Sequence, residues 1–255
     1  MCIRDSAEVS YYDWQVGELL KLLDKHELAE NTLVMVVSEQ GSSFPFAKWT
    51  CYEAGLQSAA IVRWPGKVKP QSESDAMIEY VDILPTFLSA AGGQPNRVFD
   101  GRSFLPVLSG ETTTHKTHVF GIMTTRGIHH GSEHFGIRSV RDGQFKYIRN
   151  LTPEVPFQNV AMKDPAFKSW VAAAESGNED AVEKVRRYQH RPAEELYKLS
   201  EDKFEWNNLA EDPSYAAVKS ELSKRLDDWM ATQGDKGAAT EMAAKDRQWK
   251  RKRRK

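Results

Sequence analysis

One stretch of the chain, residues 33–64, constrains the fold more than any other. Leu33 to Val37 is an apolar, β-branched run that ends abruptly at Ser38-Glu39-Gln40-Gly41. Such a run is typical of a buried strand in a parallel sheet that presents polar side chains at its carboxyl end. In open α/β sheets, ligands bind at that end. The sequence therefore predicts an α/β fold with a functional site directly after this strand.

The loop after this strand begins with two oxygen donors, Glu39 and Gln40. A carboxylate together with an amide carbonyl suits a hard cation, calcium or magnesium, better than it suits zinc. Lys48 follows among aromatic residues, where its ammonium group could meet an anion held by the metal. A metal and a lysine together would form a binding site for a negatively charged oxygen.

Three segments around this loop resemble a known family. Ser38 to Gly41, Lys48 to Leu56 and Ile61 to Gly66 are similar to type I, formylglycine-dependent sulfatases of the alkaline phosphatase superfamily. The usual sequence pattern of the family is a strand that ends in Ser-Asp-Asn-Gly, followed by Lys-Trp, by Tyr-Glu-x-Gly-Ile/Leu and by a strand that ends in Arg-Trp-Pro-Gly. The resemblance implies an alkaline-phosphatase-like α/β core and hydrolysis of sulfate esters or sulfamates.

The resemblance also implies roles for individual residues. Glu39 and Gln40 stand where the family's aspartate and asparagine ligate calcium, and magnesium is the second choice of metal. Lys48 stands where a catalytic cation contacts the sulfate group. Glu39 and Gln40 each depart from the family by one additional methylene, so the metal must lie further from the strand or the backbone must retreat.

The family's nucleophile is not found in this sequence. It is a formylglycine hydrate made from a cysteine in a Cys-x-Pro-Ser-Arg or similar sequence, whereas Cys2 precedes Ile-Arg-Asp-Ser and Cys51 precedes Tyr-Glu-Ala-Gly. The family's N-terminal pair of aspartates is absent too, and residues 1–6 do not resemble a signal peptide. We therefore expect a chain that begins part-way through its parent, is inactive alone, and relies on a missing upstream segment for formylglycine.

The sequence predicts three regions. Residues 1–110 form the C-terminal part of the α/β core, residues 111–234 form a smaller α+β subdomain with an antiparallel sheet, and residues 235–255 form a basic tail that is disordered or only helical in part. Asp82 is expected to cap a helix and to have a structural role. The predicted elements are, in order, helix 7–28, strands 33–37, 59–64, 119–124, 135–140 and 145–148, helix 165–187, strand 194–199 and helix 213–230.

A group of basic side chains in the C-terminal subdomain is the candidate substrate contact. Arg126, His129, His130 and His134 could bind a sugar carboxylate or hydroxyl groups. The alternative is that they are solvent-facing hairpin residues. Phe44-Pro45 and the helical insertion after residue 151 resemble the heparan N-sulfatase (sulfamidase) branch. A sulfated glycosaminoglycan or algal polysaccharide is the expected substrate, and the choice between N- and O-sulfate stays open.

Two other function classes compete with this one. A phosphodiesterase or phosphatase of the same superfamily needs metal sites rich in Asp and His, and residues 38–58 contain no His. A non-catalytic carbohydrate-binding pseudoenzyme would hold no metal at Glu39 and Gln40. The sequence has no apolar run of membrane-spanning length. The basic tail is expected to be solvated rather than bound to nucleic acid, and family habit suggests an exported parent (periplasmic, secreted or lysosome-like). The oligomeric state is not predicted.

Overall fold

The computed structural model of the protein describes residues 3–126 and 130–247. Two compact units divide these residues. The first contains the chain up to Val37 together with Ala59–Lys116, and the second contains Ser38–Ser58 together with the chain from Thr117 onward. Residues 38–58, which were predicted to lie in the region 1–110, belong to the second unit by their contacts.

The described residues fold into helices and short strands. The helices are α1 (Ile3–Lys25), α2 (Glu53–Leu56), α3 (Ile83–Ala90), α4 (Leu105–Leu108), α5 (Pro165–Glu175), α6 (Glu179–Gln189), α7 (Ala216–Thr232) and α8 (Ala238–Met242). The strands are β1 (Val34–Val37), β2 (Ala60–Arg63), β3 (Val119–Met123), β4 (Ile137–Arg141), β5 (Phe145–Asn150) and β6 (Glu194–Lys198). No helix within the described residues is both long and apolar enough to cross a membrane.

The first unit contains a two-stranded sheet whose pairing differs from the prediction. β1 lies antiparallel to β2, with Val34 opposite Arg63 and Val37 opposite Ala60. The side chains of β1 are half-buried. The prediction of a buried parallel strand is therefore wrong for the described residues. A continuous apolar run indicates that both faces of a strand can be buried. It does not specify the direction of the neighbouring strand.

Helix α1 confirms the predicted helix, but its apolar side chains are largely exposed. The large apolar residues with 49% to 65% of their surface exposed are Val9, Tyr11, Tyr12, Trp14, Leu19 and Leu22. Single exposed apolar residues are ordinary, whereas a contiguous group of this size usually marks an interaction surface. The described residues therefore leave an uncovered apolar surface on the first unit.

Asp82 organises the other end of the first unit. Its side chain is fully buried and accepts hydrogen bonds from the backbone N–H groups of Glu79 (2.8 Å) and Arg102 (2.9 Å). The Lys116 ammonium lies 2.8 Å from the same carboxylate. The side chain makes no capping hydrogen bond to α3 and instead caps the preceding turn of 3-10 helix. The expected structural role is confirmed, but the capped element is different.

The second unit is built on a four-stranded antiparallel sheet in the order β3-β4-β5-β6. Successive side chains of a strand point to opposite faces, so each strand serves two cores. One core packs the sheet against α7 and contains Val140, Tyr147, Leu196, Leu222, Leu226 and Met230. The other contains Ile137, Ile148 and Tyr197 together with Phe157, Phe167 and Tyr188 from the segment between β5 and β6. The predicted antiparallel sheet is thereby confirmed.

The predicted helix over 165–187 is two helices. Gly177 adopts a left-handed conformation (φ 88°) that ends α5, and the Asn178 side chain accepts the Ala181 N–H and caps α6. Within the predicted tail, residues 238–247 form α8 and a turn of 3-10 helix. Residues 248–255 lie outside the described part of the chain.

The core against α7 generates a stability prediction. Leu226→Ala should lower the free energy of unfolding by about 2 to 5 kcal/mol, because it removes fully buried apolar volume between α7 and the sheet. Urea denaturation followed by near-UV circular dichroism measures this change.

The matched control is the same substitution at Leu19, whose side chain is 63% exposed. Leu19→Ala should change the free energy of unfolding by about 0.5 kcal/mol or less. Equal losses in the two variants would contradict the packing described above.

Candidate functional site

The polar loop, residues 38–58, is held against the sheet of the second unit by buried polar contacts. The Tyr52 hydroxyl donates a 2.7 Å hydrogen bond to Glu195 on β6, and the Tyr197 hydroxyl donates one of 2.6 Å to the same carboxylate oxygen. The other oxygen of Glu195 accepts the Asn150 side-chain amide at 2.8 Å. Burial raises the pKa of the Tyr52 hydroxyl, which stays a donor. The loop is thus tied to residues far away in sequence.

Glu53 provides a second anchor for the polar loop. Its carboxylate accepts a 2.7 Å hydrogen bond from Lys146 on β5 and one of 2.9 Å from Arg141 on β4. The Glu53 backbone N–H donates a 2.6 Å hydrogen bond to Glu205. Lys146 is 1% exposed, so its charge requires these acceptors. Glu53 is therefore a structural residue that fixes the loop on the sheet.

Two glycines let the polar loop fold back on itself. A Cβ atom at Gly41 would lie 1.7 Å from the Ala54 carbonyl oxygen, and one at Gly55 would lie 2.4 Å from the Ala47 carbonyl oxygen. The Gly41 N–H donates a 3.2 Å hydrogen bond to the Gly55 carbonyl. The start of the loop, which carries Glu39 and Gln40, is therefore pinned to α2 at its end.

Lys48 occupies a strained part of the polar loop. Its backbone N–H donates a 2.8 Å hydrogen bond to the Ser42 carbonyl, which brings Lys48 close to the start of the loop. Phe46 and Trp49 have left-handed backbones, with φ of 62° and 66°. Non-glycine residues in this conformation persist only where the surroundings enforce it, and they cluster at functional sites. Phe46 is enclosed by the rings of Tyr52, Trp170, Tyr188 and Trp206.

The three side chains predicted to act in the polar loop remain accessible. Glu39 is exposed, and Gln40 and Lys48 are half-buried. The Lys48 ammonium lies 4.8 Å from the centre of the Trp49 ring, and no carboxylate in the described chain forms an ion pair with it. Backbone contacts place all three residues in one loop. Their roles in metal and sulfate binding stay predictions.

The oxygen donors of the polar loop match a divalent metal in type but are few in number. Glu39 and Gln40 offer hard oxygen atoms of the kind that calcium prefers, and calcium takes 6 to 8 such ligands. The described residues contain no group of three or more His, Cys, Asp or Glu side chains arranged to hold a metal. The type of donor fits calcium, but two donors do not complete its coordination. Calcium also takes backbone carbonyl and water oxygens, so further ligands are needed beside Glu39 and Gln40.

Cys51 has the properties of a core residue. Its side chain is fully buried, and burial raises the pKa of the thiol to about 11. A thiol with this pKa is protonated at neutral pH and is a weak nucleophile. Cys51 is therefore a buried thiol of the core.

The Arg-His loop, residues 124–134, carries the predicted substrate contacts in the same unit. Arg126 donates a 2.7 Å hydrogen bond to Glu133, and this contact holds the pKa of the Glu133 carboxyl below its usual range. The His130 ring lies 2.6 Å from the Lys163 ammonium. The Nδ1 atom of His134 is buried and has no hydrogen-bond partner among the described residues. His129 lies outside the described residues.

Several known proteins are similar to this chain. A family model for the C-terminal region of N-sulphoglucosamine sulphohydrolase matches residues 41–165. An ulvan-active sulfatase of Formosa agariphila is 39% identical over 222 residues, which cover 87% of this chain and 41% of that protein. The chain belongs to the sulfatase family. Human N-sulphoglucosamine sulphohydrolase is 29% identical over 234 residues, which cover 87% of this chain and 46% of that protein.

A solved structure agrees with the predicted fold class. A protein in complex with its substrate, D-glucosamine-2-N,6-O-disulfate, has a TM-score of 0.66 and 23% identity, and the match covers 90% of this chain and 40% of that one. At this identity the match establishes the fold alone, and it confirms the expected alkaline-phosphatase-like α/β class with an antiparallel subdomain. This sulfatase chain spans about two fifths of the length of the curated relatives it matches.

Several residues that shape the candidate site were missed by sequence reasoning. Lys163 contacts His130 from the segment between β5 and β6, and Glu195 and Glu205 anchor the polar loop. Glu241 holds the Arg-His loop. Glu195 lies on the predicted strand 194–199, but no pattern in the sequence marked Glu195 or Glu205 as a contact of the polar loop. Lys163 and Glu241 carried no signal, because only the tertiary fold brings them to the site.

The buried Glu205 carboxyl generates a pH prediction. Burial raises its pKa from 4.5 to about 7, while Lys146 opposes the shift and Glu53 and Glu195 favour it. A carboxyl whose pKa is raised on folding stabilises the protein fully below pH 4.5, and this contribution is lost as the pH rises through 7. Between these limits, the free energy of unfolding of the wild type should fall relative to Glu205→Gln by up to roughly 3 kcal/mol.

Urea denaturation of both proteins across this pH range measures the difference. Glu221→Gln, an exposed change on α7, is the control and should leave the pH dependence unaltered. Parallel curves for the wild type and Glu205→Gln would show that Glu205 is ionised in the folded protein.

The burial of Cys51 generates a labelling prediction. In a Cys2→Ser background, the Cys51 thiol should react with a maleimide at least about 100-fold more slowly in buffer than in urea, because the thiol is buried and protonated. Mass spectrometry of timed reactions measures both rates. Rapid labelling of the folded protein would contradict the core position of Cys51.

Proposed function

We propose that the chain is the C-terminal part of a sulfatase that hydrolyses sulfate esters or sulfamates of a sulfated carbohydrate. The chain would supply Glu39 and Gln40 as metal ligands and Lys48 as the cation that contacts the sulfate group. The formylglycine nucleophile would come from polypeptide outside this chain, and the chain alone would be inactive. The observation that carries the proposal is that the sulfatase-like polar loop is locked on the sheet by Tyr52 and Glu53.

The proposed roles follow from the charge of the substrate. A sulfate ester is negatively charged and repels a nucleophile, so its oxygen atoms need positive charge around them. A bound metal ion, calcium before magnesium, would supply Lewis acidity and orient the sulfate group. Lys48 would add a point charge to the same oxygens, and the enforced backbone on both sides of it supports a fixed position. Charges fixed before the reaction stabilise the transition state without reorganisation.

The proposed substrate is a sulfated polysaccharide. Arg126, His130 and His134 lie on one loop of the unit that carries the polar loop, and Lys163 adds a cation beside His130. Such a group is suited to uronate carboxylates and sulfate groups. The 39% identity to an ulvan-active sulfatase, against 29% to N-sulphoglucosamine sulphohydrolase, favours an ulvan-like polysaccharide over an N-sulfated glucosamine. His129 belongs to the same proposed contact, and export of the parent remains part of the proposal.

The uncovered apolar surface of α1 gives the proposal a physical basis for assembly. Tyr11, Trp14 and Leu19 are each more than half exposed. The relatives contain more than half of their length beyond the matched region. We expect that additional sulfatase polypeptide covers α1 and brings the missing metal ligands and the nucleophile to the polar loop. A phosphatase reaction is not favoured, because the curated relatives named above are sulfatases.

A fusion protein tests the proposal. The chain is joined to the part of the Formosa agariphila ulvan-active sulfatase that the match does not cover, and it is produced with the formylglycine-generating enzyme. We expect calcium-dependent release of sulfate from ulvan. Glu39→Ala and Lys48→Ala should each lower kcat/KM by about tenfold or more. The readout is sulfate release measured by ion chromatography.

Matched controls separate a specific loss from a general one. Glu73→Ala and Lys67→Ala change exposed residues of the same types in the first unit and should leave kcat/KM within about twofold of the parent fusion. If the fusion is active and neither Glu39→Ala nor Lys48→Ala lowers the rate, the site assignment is wrong. If all four substitutions act alike, the losses report on folding.

A further inference from the structure

The C-terminal segment places a buried carboxylate on the backbone of the Arg-His loop. Glu241 is 2% exposed although it lies in α8, close to the basic end of the chain. Its Oε1 atom accepts hydrogen bonds from the Thr124 hydroxyl (2.6 Å), the Thr125 N–H (2.9 Å) and the Arg126 N–H (3.2 Å). One oxygen atom thus holds three consecutive residues, the last of which carries a proposed substrate contact.

Glu241 is itself held in place by β4 and by the turn before α8. The Arg138 side chain donates a 2.6 Å hydrogen bond to Asp235, and its guanidinium also lies 3.9 Å from the second oxygen of Glu241. Gly237 turns the chain with a left-handed backbone (φ 64°), and its carbonyl accepts the Glu241 N–H at 3.0 Å. A Cβ atom at Gly136 would lie 2.9 Å from Glu241 Oε2. The carboxylate therefore fills a fitted space.

The energetics indicate that Glu241 acts on the loop. A buried carboxylate is costly unless it is hydrogen-bonded, and here the loop supplies all three hydrogen bonds to Oε1. The loop is also fixed from the other side, because the Phe135 N–H donates a 2.7 Å hydrogen bond to the Thr125 hydroxyl. Residues 124–126 are thus clamped between Glu241 and Phe135, which lies two residues before β4. The side chain of Arg126 leaves this clamp toward Glu133.

We propose that Glu241 is a positioning residue for carbohydrate recognition. Through Thr124, Thr125 and Arg126, it sets where the Arg126 guanidinium meets an anionic sugar. The identity of the ligand rests on the proposed function. The clamp itself rests only on the hydrogen bonds described above. The clamp makes α8, which lies outside the family match at residues 41–165, part of the proposed site. Glu241 touches no substrate and acts through the backbone of Arg126.

Amide hydrogen exchange of the full chain tests the clamp. In Glu241→Ala, the amides of Thr125 and Arg126 should exchange at least about tenfold faster than in the wild type, because their acceptor is lost. Glu241→Gln keeps an acceptor oxygen in the same place and should exchange more slowly than Glu241→Ala. Amides of β5 should be unaffected in both variants. Glu221→Gln on α7 is the matched surface control. Unchanged exchange at Thr125 and Arg126 in Glu241→Ala would overturn the clamp.

Binding of ulvan oligosaccharides to the same proteins tests the effect on recognition. Glu241→Ala should weaken binding about threefold to tenfold, Glu241→Gln should restore part of the loss, and Arg126→Ala combined with Glu241→Ala should lose no more than Arg126→Ala alone. Additive losses would mean that Glu241 does not act through Arg126, which overturns the positioning role. If the wild type binds no ulvan oligosaccharide, the proposed ligand and the recognition role both fail, while the exchange measurement still decides the clamp.

Discussion

The buried ion pair between Glu53 and Lys146 is the interaction on which the arrangement of the site depends. It joins residues 93 positions apart, at a Nζ to Oε1 distance of 2.7 Å. A buried ammonium without a partner would cost several kcal/mol, so the polar loop and β5 cannot separate cheaply. Tyr52 and Glu195 make a second buried connection beside it. Together they convert a surface loop into a fixed platform, and this rigidity lets Lys48 hold one position despite the strained backbone around it.

Two loops from distant parts of the chain meet the same sheet in different ways. The polar loop is fixed through side chains that point into the core, whereas the Arg-His loop is fixed through its own backbone by Glu241. Each loop carries a cationic side chain that is not one of its anchors, Lys48 in the polar loop and Arg126 in the Arg-His loop. A shared sheet therefore supports both the loop with the proposed sulfate contact and the loop with the proposed carbohydrate contact. The sulfatase relatives give this division a chemical meaning, since both kinds of contact are needed for a sulfated sugar.

The sequence predicted the parts of the fold that local patterns control. The closely spaced predicted strands 135–140 and 145–148 made the antiparallel sheet predictable, and the motif from Lys48 to Leu56 identified the polar loop. The antiparallel partner of β1 and the uncovered face of α1 were not predictable, because neither depends on local pattern. Glu241 was missed for the same reason. Its surrounding sequence is rich in Ala and Lys and resembles a solvated tail, and only the fitted space beside Gly136 makes it a buried residue.

The central claim is that Glu39, Gln40 and Lys48 face one bound metal and one sulfate group. The most direct measurement is a crystal structure of the chain assembled with the remaining sulfatase polypeptide, with calcium and a non-hydrolysable sulfated sugar bound. The account predicts oxygen atoms of Glu39 and Gln40 at about 2.3 to 2.6 Å from calcium, with the Lys48 ammonium at about 2.7 to 2.9 Å from a sulfate oxygen. A metal coordinated without either residue, or a sulfate group bound away from Lys48, would contradict it.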